Sequence, residues 1–517
     1  MRAALRIGVA MILVVLSARA WGAEPSTEAI TIFAFDNVTI PFTQNLYLTM
    51  VPATKYPDNP VLAHGPEGSP DAWRAQFYGS IIKVDGKYRM WYCADDEPSP
   101  PVEIRTSHMR PAYAESADGI HWTKPKLGLV EYKGNKENNL LQFSPQPHFE
   151  ITEPLSSFVL YEPSDPNPSH RYKMPLYGRF DDAGDVDYKH PKSTIYPYFS
   201  ADGLRWQLAT PPPKGAAYTE KDAPIPAREI FEIGGFYKFR GLYYVAGQEL
   251  WDDIWMPDGK EAGRVMVTHW SSDFVHWSHD HALSFVRYGY RSLKENLNEA
   301  HEPAAVWNRN TVLVATFGLW QGSKSVDERR MPLGFLISND GIHFREPQPD
   351  FEFLSPGADG QWDQRGLIHG QGFENVGDQT YVYYGTWDLS SAGDPKGSVG
   401  LSTLRRDGFG YLSVRRGGEA MLTTLPLAFG RDAKGIRVNA TGLGREARLR
   451  LELLDQLGKG VPGYSGAKGA VVDHDSVAEQ VRWSNGQMPI GPEPYRLRIH
   501  FEGTDKSSIR FYAAYVE

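Results

Sequence analysis

The chain has 517 residues, of which 41% are hydrophobic and 23% charged, and its net charge is −9. That balance belongs to a globular chain with a sizeable core, and it excludes the basic footprint of a nucleic-acid binder. A single cysteine, Cys93, excludes an intrachain disulfide.

Aromatic residues make up 13% of the chain, alongside 50 Gly and 38 Pro, a composition of short strands joined by many turns. The length admits two to four domains, or one large β domain and a second. Residues 1–23 have the layout of a secretory signal: Arg2 and Arg6, an apolar run over 7–16, then Ala18-Arg19-Ala20 as a small-x-small cleavage pattern. The expected location is secreted or periplasmic. No cysteine follows the apolar run to carry a lipid, and no later run is long enough for a membrane helix. Residues 24–70 read as an extended, Pro-rich lead-in with candidate strands at 30–35 and 45–50.

Five strand-turn-strand segments follow, at 77–92, 157–177, 231–246, 302–317 and 368–384, each with β-branched and aromatic residues around a turn. A second phrase alternates with them. Ser116-Ala117-Asp118-Gly119-Ile120-His121-Trp122 returns as Ser200-Ala201-Asp202-Gly203-Leu204-Arg205-Trp206 and as Ser338-Asn339-Asp340-Gly341-Ile342-His343-Phe344. Ser272-Asp273-Phe274-Val275-His276-Trp277 is a copy without the glycine, and Ser402 to Phe409, with Asp407-Gly408, is a fifth candidate. The Asp-Gly pair supplies a tight turn and the aromatic an apolar anchor. The aspartates are spaced 84, 71, 67 and 67 residues apart. Five such units of about four strands predict an all-β fold, a five-bladed β-propeller over 71–415. The alternative is a pair of β-sandwiches with coincidental turns. The hairpins form the inner strands and the phrase lies at the outer ones. Helical signal is weak; residues 291–299 read as a short helix or a loop. The last stretch, 416–517, has alternating strands at 447–454 and 495–501, the pattern of a β-sandwich domain, with the boundary falling within 405–430. Asn37-Val38-Thr39 and Asn439-Ala440-Thr441 match the short glycosylation tripeptide.

In a propeller the ligand lies at the central axis, so the residues leading into each innermost strand are the candidate site. These are Asp71, Trp73, Arg74 and Gln76; Glu153, Ser156 and Ser157; Glu229 and Glu232; Glu299, His301 and Glu302; and Asp363, Arg365, His369 and Gln371. The stretch from Glu232 through Gly234-Gly235, Lys238, Gly241 and Tyr243-Tyr244 resembles the third blade of the family 43 and family 32 glycoside hydrolases. So do the Ser-x-Asp-Gly phrases, Gln361-Trp362-Asp363 and the terminal sandwich. The resemblance spans roughly residues 70–515. It implies a secreted enzyme that cleaves glycosidic bonds of an oligo- or polysaccharide, with Glu232 as the general acid. Two family features are absent. The first-blade carboxylate position holds Gln76-Phe77, and the second-blade Asp-Pro occurs only as Asp165-Pro166 in a turn. The second carboxylate then comes from Glu302, Asp363 or Asp71.

Two carboxyl groups flanking the bond divide the work: one is protonated to serve the leaving oxygen, and the other is ionised as base or nucleophile. Trp73, Arg74, His301, Arg365 and His369 are the expected substrate contacts, with Asp71. Several candidates have a structural alternative: an acid bonding a neighbouring blade for Glu232, a strand cap for His301-Glu302, an Asp363–Arg365 loop pair, a core histidine for His369, packing for Trp73. Two other functions stay open, a non-catalytic glycan-binding propeller and a polysaccharide lyase with His301, His369 and Arg365 around the acid group. His276, His279 and His281 have metal-like spacing but read better as a solvated turn. No metal or cofactor is expected; a structural Ca²⁺ fits such a propeller without any residue calling for it. The expected partner is a carbohydrate, with no nucleic acid and no membrane span.

Overall fold

The structure is a computed structural model describing residues 30–97, 109–145, 156–180, 192–211, 225, 231–255, 261–287, 298–322, 328–386, 397–429, 433–486, 488 and 493–517. The expected signal segment, Glu153, Glu229 and most of the 291–299 stretch lie outside the described residues. What is described is all-β, without an α-helix.

Sheet 1 runs Arg74–Val84, Lys87–Asp95, Arg110–Ser116 and Trp122–Thr123. Sheet 2 runs Leu160–Tyr161, Tyr172–Phe180, Lys192–Ser200 and Arg205–Leu208, with Gln142–Ser144 added in parallel at its far edge. Sheet 3 runs Phe231–Phe239, Leu242–Trp255, Glu261–Ser271 and Ala282–Phe285, and sheet 4 runs Asn298–Asn308, Leu313–Gln321 and Leu333–Ser338. Sheet 5 runs Leu367–Val376, Gln379–Thr386 and Gly400–Arg405, and its fourth strand is Thr54–Lys55 from the other end of the chain. Sheets 1 and 5 meet where Gln371 pairs in parallel with Ser80, which makes them one eight-stranded path.

The repeated phrase turns the chain after the third strand. In the first copy the Ser116 hydroxyl accepts from Gly119 N at 2.9 Å, and Asp118 Oδ1 accepts from the amides of Ile120 and His121, both at 2.9 Å. Gly119 has φ 81°, Gly203 78° and Gly341 90°. The copy in sheet 3 makes the same turn without the glycine. Ser271, not Ser272, is its serine, and Phe274 occupies the glycine position at φ 71°. The fifth candidate differs: positive φ falls on Asp407 itself, a fully buried residue.

This turn leaves the carbonyl of its left-handed residue pointing at the neighbouring sheet. Tyr383 Oη of sheet 5 donates to Gly119 O at 2.7 Å. Trp91 Nε1 of sheet 1 donates to Gly203 O at 2.7 Å, and Tyr237 Oη of sheet 3 donates to Gly341 O at 2.8 Å. Phe274 instead packs its ring against Phe199 of sheet 2, centroids 5.2 Å apart. Between sheets 4 and 5, Arg309 pairs with Asp407. Five apolar clusters fill the same gaps. Trp91 and Trp206 belong to that between sheets 1 and 2, Tyr177 and Phe236 to that between 2 and 3, and Tyr244 and Phe317 to that between 3 and 4. Phe335 and Tyr384 belong to the cluster between sheets 4 and 5, and Tyr88 and Tyr383 to that between 5 and 1.

The expected lead-in is no separate extension. Ile30–Phe33 and Leu46–Met50 join Ser476–Gln480, Ile436–Thr441, Arg510–Val516 and Gly410–Val414 in one terminal sheet. Phe42–Gln44 edges a second sheet with Met421–Thr423, Arg496–Glu502, Arg448–Leu454 and Ala470–Val472. Leu449, Leu451, Leu497, Ile499 and Phe511 form part of the apolar core between the two. Gly410–Val414 thus belongs to the terminal sheets, and the boundary lies earlier than residue 416. Asn439 of the second glycosylation tripeptide is fully buried and donates to Arg406 O at 2.6 Å. Buried Asp407 binds Asn375 of sheet 5 and accepts from Tyr515 Oη at 2.8 Å, fastening the terminal sheets to sheets 4 and 5.

Two predictions follow from the turn. A Cβ on Gly203 would stand 2.8 Å from the Trp91 ring, at φ 78°. Gly203→Ala is expected to lower stability by about 1–3 kcal/mol, read as the midpoint of thermal unfolding. The second concerns pH. Burial pushes the carboxyls of Asp273 and Asp340 up, but the bonds from their own histidine and backbone amides outweigh it and hold both down at about 2. A carboxyl harder to protonate folded than unfolded contributes fully above pH ~4 and loses that contribution as pH falls toward 2. Asp340→Asn should therefore lose stability at neutral pH and show a shallower acid limb below pH ~4 in chemical denaturation.

Candidate active site

The first strand of each of four sheets is interrupted where it nears its neighbours. The pairing register shifts between Gln76 and Ser80, Ile233 and Gly235, His301 and Ala305, and His369 and Phe373. Such bulges re-aim side chains and free backbone groups for other partners. Here those partners lie across the sheets. Gln371, between Gly370 and Gly372, uses its amide to bind both Phe236 N and Phe236 O, each at 2.6 Å. His369 Nε2 donates to Gly234 O at 3.1 Å. The Tyr78 ring meets Phe158 at 5.2 Å and His369 at 5.6 Å. Ser157 N donates to Tyr78 O at 2.9 Å. First strands of sheets 1, 3 and 5 and the start of sheet 2 are thereby tied together, and the residues that lead into these ties are the candidate site.

Glu232 is one of them. It is half-buried, and Gln248 Nε2 donates to its Oε2 at 2.6 Å. An amide NH₂ only donates, so Oε2 is the acceptor. His301 is buried and stacks on Trp320 at 5.2 Å. Burial, then Arg264 and His369, push its imidazole well below the ordinary range. Burial likewise brings His369 down to about 3, against the Gly234 bond. Both rings are neutral at working pH. Glu302 lies on Asn298–Asn308, inside the interruption between His301 and Ala305; its side chain is outside the described residues.

Asp71 and Asp363 are fixed elsewhere, in two copies of one loop. Gly65 N donates to Asp71 O and Gly357 N to Asp363 O, both at 2.8 Å. Tyr92 Oη donates to Asp71 Oδ2 and Tyr384 Oη to Asp363 Oδ2, both at 2.9 Å. Lys124 pairs with Asp71, and Lys55 with Asp363 at 2.5 Å. Both carboxylates are buried and neutralised. The expected Asp363–Arg365 pair is absent, because Lys55 takes the acid and Arg365 reaches Asp359 at 3.7 Å. The arginine whose charge acts on His301 is Arg264. Arg74 is closed in a buried pair with Asp95 at 2.9 Å. Trp73 is half-buried and holds the Asp95 carbonyl through its backbone amide at 2.9 Å.

Of the histidine run, His276 is exposed and bonded to Asp273 at 2.7 Å. The His281 side chain is buried and lies 3.4 Å from Glu249, not in a solvated turn. Among the described residues no cluster of three or more His, Cys, Asp or Glu is placed to hold a metal, and no helix is long and apolar enough to cross a membrane.

Gln248 and Arg264 were not expected from the sequence. Gln248 was hidden by the bulge, since counting back from the Arg240-Gly241 turn puts Glu249 opposite Glu232.

No protein-family description matches the sequence, and no curated protein matches it. Solved structures give partial likenesses. One, from the GH130 family of mannoside phosphorylases that contains glycoside hydrolases targeting β-1,2-mannosidic linkages in Candida mannan, is 17% identical over 69% of this chain and 94% of its own, with a TM-score of 0.44. A GH32 β-fructofuranosidase of Bombyx mori is 13% identical over 88% of this chain and 92% of its own, TM-score 0.40. A β-1,2-mannobiose phosphorylase of Listeria innocua is 12% identical over 69% and 97%, TM-score 0.38.

The neutral His369 gives a prediction. Its folded imidazole resists protonation down to about 3, against 6.5 unfolded. The unfolded chain therefore takes up the proton first, and stability falls as pH drops below ~6.5. His369→Gln, which keeps a donor for Gly234, should flatten the urea midpoint between pH ~6.5 and ~3.

Proposed function

We propose that the chain is a carbohydrate-active enzyme that hydrolyses glycosidic bonds of an oligo- or polysaccharide, built on a five-bladed β-propeller and a β-sandwich, and exported to the periplasm or beyond. The five apolar interfaces support a closed ring of blades. The resemblance to families 43 and 32 supports the reaction, and the signal pattern of residues 1–23 supports export.

The observation that carries the reading is Glu232, presented beside a closed floor with one oxygen fixed by Gln248. Glu232 is the general acid, giving its proton to the leaving oxygen. The neutral imidazoles of His301 and His369 add no positive charge of their own beside the acid. Glu302 is the second carboxylate, base or nucleophile, because Asp363 and Asp71 are neutralised by lysines.

The leaving group tests the acid. Glu232→Gln should lose about 10²–10⁴-fold on unactivated oligosaccharides and far less on dinitrophenyl glycosides, whose leaving group needs no proton. Glu302→Gln should lose activity on both. Equal, full activity of Glu232→Gln on oligosaccharides sinks the assignment.

A further inference from the structure

Two buried polar atoms beside this site have no partner among the described residues: Gln76 Oε1 and Ser156 Oγ. Gln76 is 8% exposed and Ser156 0%. An unmet acceptor in such a place destabilises the folded protein, so its presence asks what it is for. Both are close to the floor. Gln76 lies on the first strand of sheet 1, at the edge of the interruption and two residues before Tyr78. Ser156 precedes Ser157, whose amide holds the Tyr78 carbonyl. Gln76 is paired across the sheet with Cys93. Burial pushes the Cys93 thiol up to about 12, and the Ser157 hydroxyl eases it. The thiol thus stays neutral. The nearest ions, Arg74 and Asp95, cancel each other at 2.9 Å.

We propose that Gln76 and Ser156 form a subsite for the hydroxyl groups of an uncharged sugar residue. The inference rests on the glycan reading above and adds which sugars the site takes. A carbonyl oxygen accepts only, so its ligand must bring a donor, which a sugar hydroxyl does and a uronate carboxylate does not. A carboxylate set against Gln76 Oε1 would meet a like partial charge. The missing acid in the first blade is, on this view, a recognition residue: an amide in place of a carboxylate, exchanging charge for neutral hydrogen bonding.

The test is binding, measured in the Glu232→Gln protein by calorimetry against neutral oligosaccharides and against oligouronates of matched length. Neutral oligosaccharides should bind and oligouronates should not. Gln76→Met, similar in length and apolar, should weaken binding of the tightest neutral oligosaccharide about ten-fold, one lost hydrogen bond. It should also raise the thermal midpoint, because the unmet acceptor is gone; Ser156→Ala should weaken binding as well. The proposal is overturned if oligouronates bind as tightly, if no neutral oligosaccharide binds, or if Gln76→Met leaves the affinity unchanged whatever happens to the midpoint. Residual hydrolysis by Glu232→Gln appears as a steady heat, separate from the binding isotherm, and counts against the acid assignment alone.

Discussion

A carbonyl turned outward by one left-handed residue governs how the sheets associate. In the Ser-x-Asp-Gly turn the serine hydroxyl and the aspartate carboxylate satisfy the local amides. The carbonyl of the left-handed residue keeps acceptor capacity for the next sheet, even in the first copy, where the phrase's own Trp122 Nε1 also donates to Gly119 O at 3.0 Å. Tyr383, Trp91 and Tyr237 do so with buried donors of similar reach, at 2.7, 2.7 and 2.8 Å. Donor and ring act together: the polar tip fixes register while the aromatic body fills the gap. Where the glycine is Phe274, its carbonyl accepts from the turn's own Trp277 Nε1 at 2.8 Å, and the tie to sheet 2 is ring packing on Phe199. That packing tolerates the positive φ of a non-glycine residue because the phenyl ring is fully buried.

Closing the set of sheets is a different problem, since the chain after the third strand of sheet 5 passes into the terminal sheets at Gly410–Val414. Thr54–Lys55 fills the place of the outer strand. Its Lys55 holds Asp363 as Lys124, just after the outer strand of sheet 1, holds Asp71. The two loops agree down to the tyrosine 21 residues beyond each aspartate. A third tie comes from the same region, where buried Asp36 pairs with Arg345 at 3.2 Å and accepts from Asn339 Nδ2 at 2.9 Å. The acids that looked most catalytic by position in sheets 1 and 5 are thus closure residues.

The hairpins, the turns and the order of sheets were legible because they depend on local chemistry: alternating apolar residues, Asp-Gly pairs and aromatics at fixed offsets. The third copy was misjudged because Ser271 and Ser272 are adjacent and identical, and only the hydrogen bond to Phe274 N tells them apart. The role of the lead-in was illegible, because the partner strands Gly410–Val414 and Arg510–Val516 lie hundreds of residues away. Glu232 was visible through its surroundings in sequence. Gln248 was not, because a register shift leaves no mark in composition.

That shift decides the electrostatics of the acid. Continued pairing from Phe239 and Leu242 would set Glu232 against Glu249, two carboxylates directly across adjacent strands, an arrangement that destabilises the sheet and raises one pKa at the other's expense. The extra residue between Ile233 and Gly235 moves Glu232 opposite Gln248, and Glu249 opposite Phe231. The second acid then turns to His281. One inserted residue therefore replaces a repulsive pair with a donor for Glu232 and a basic neighbour for Glu249. The same insertion frees Gly234 O to accept from His369, so the residue that positions the acid also helps to close the floor beneath it.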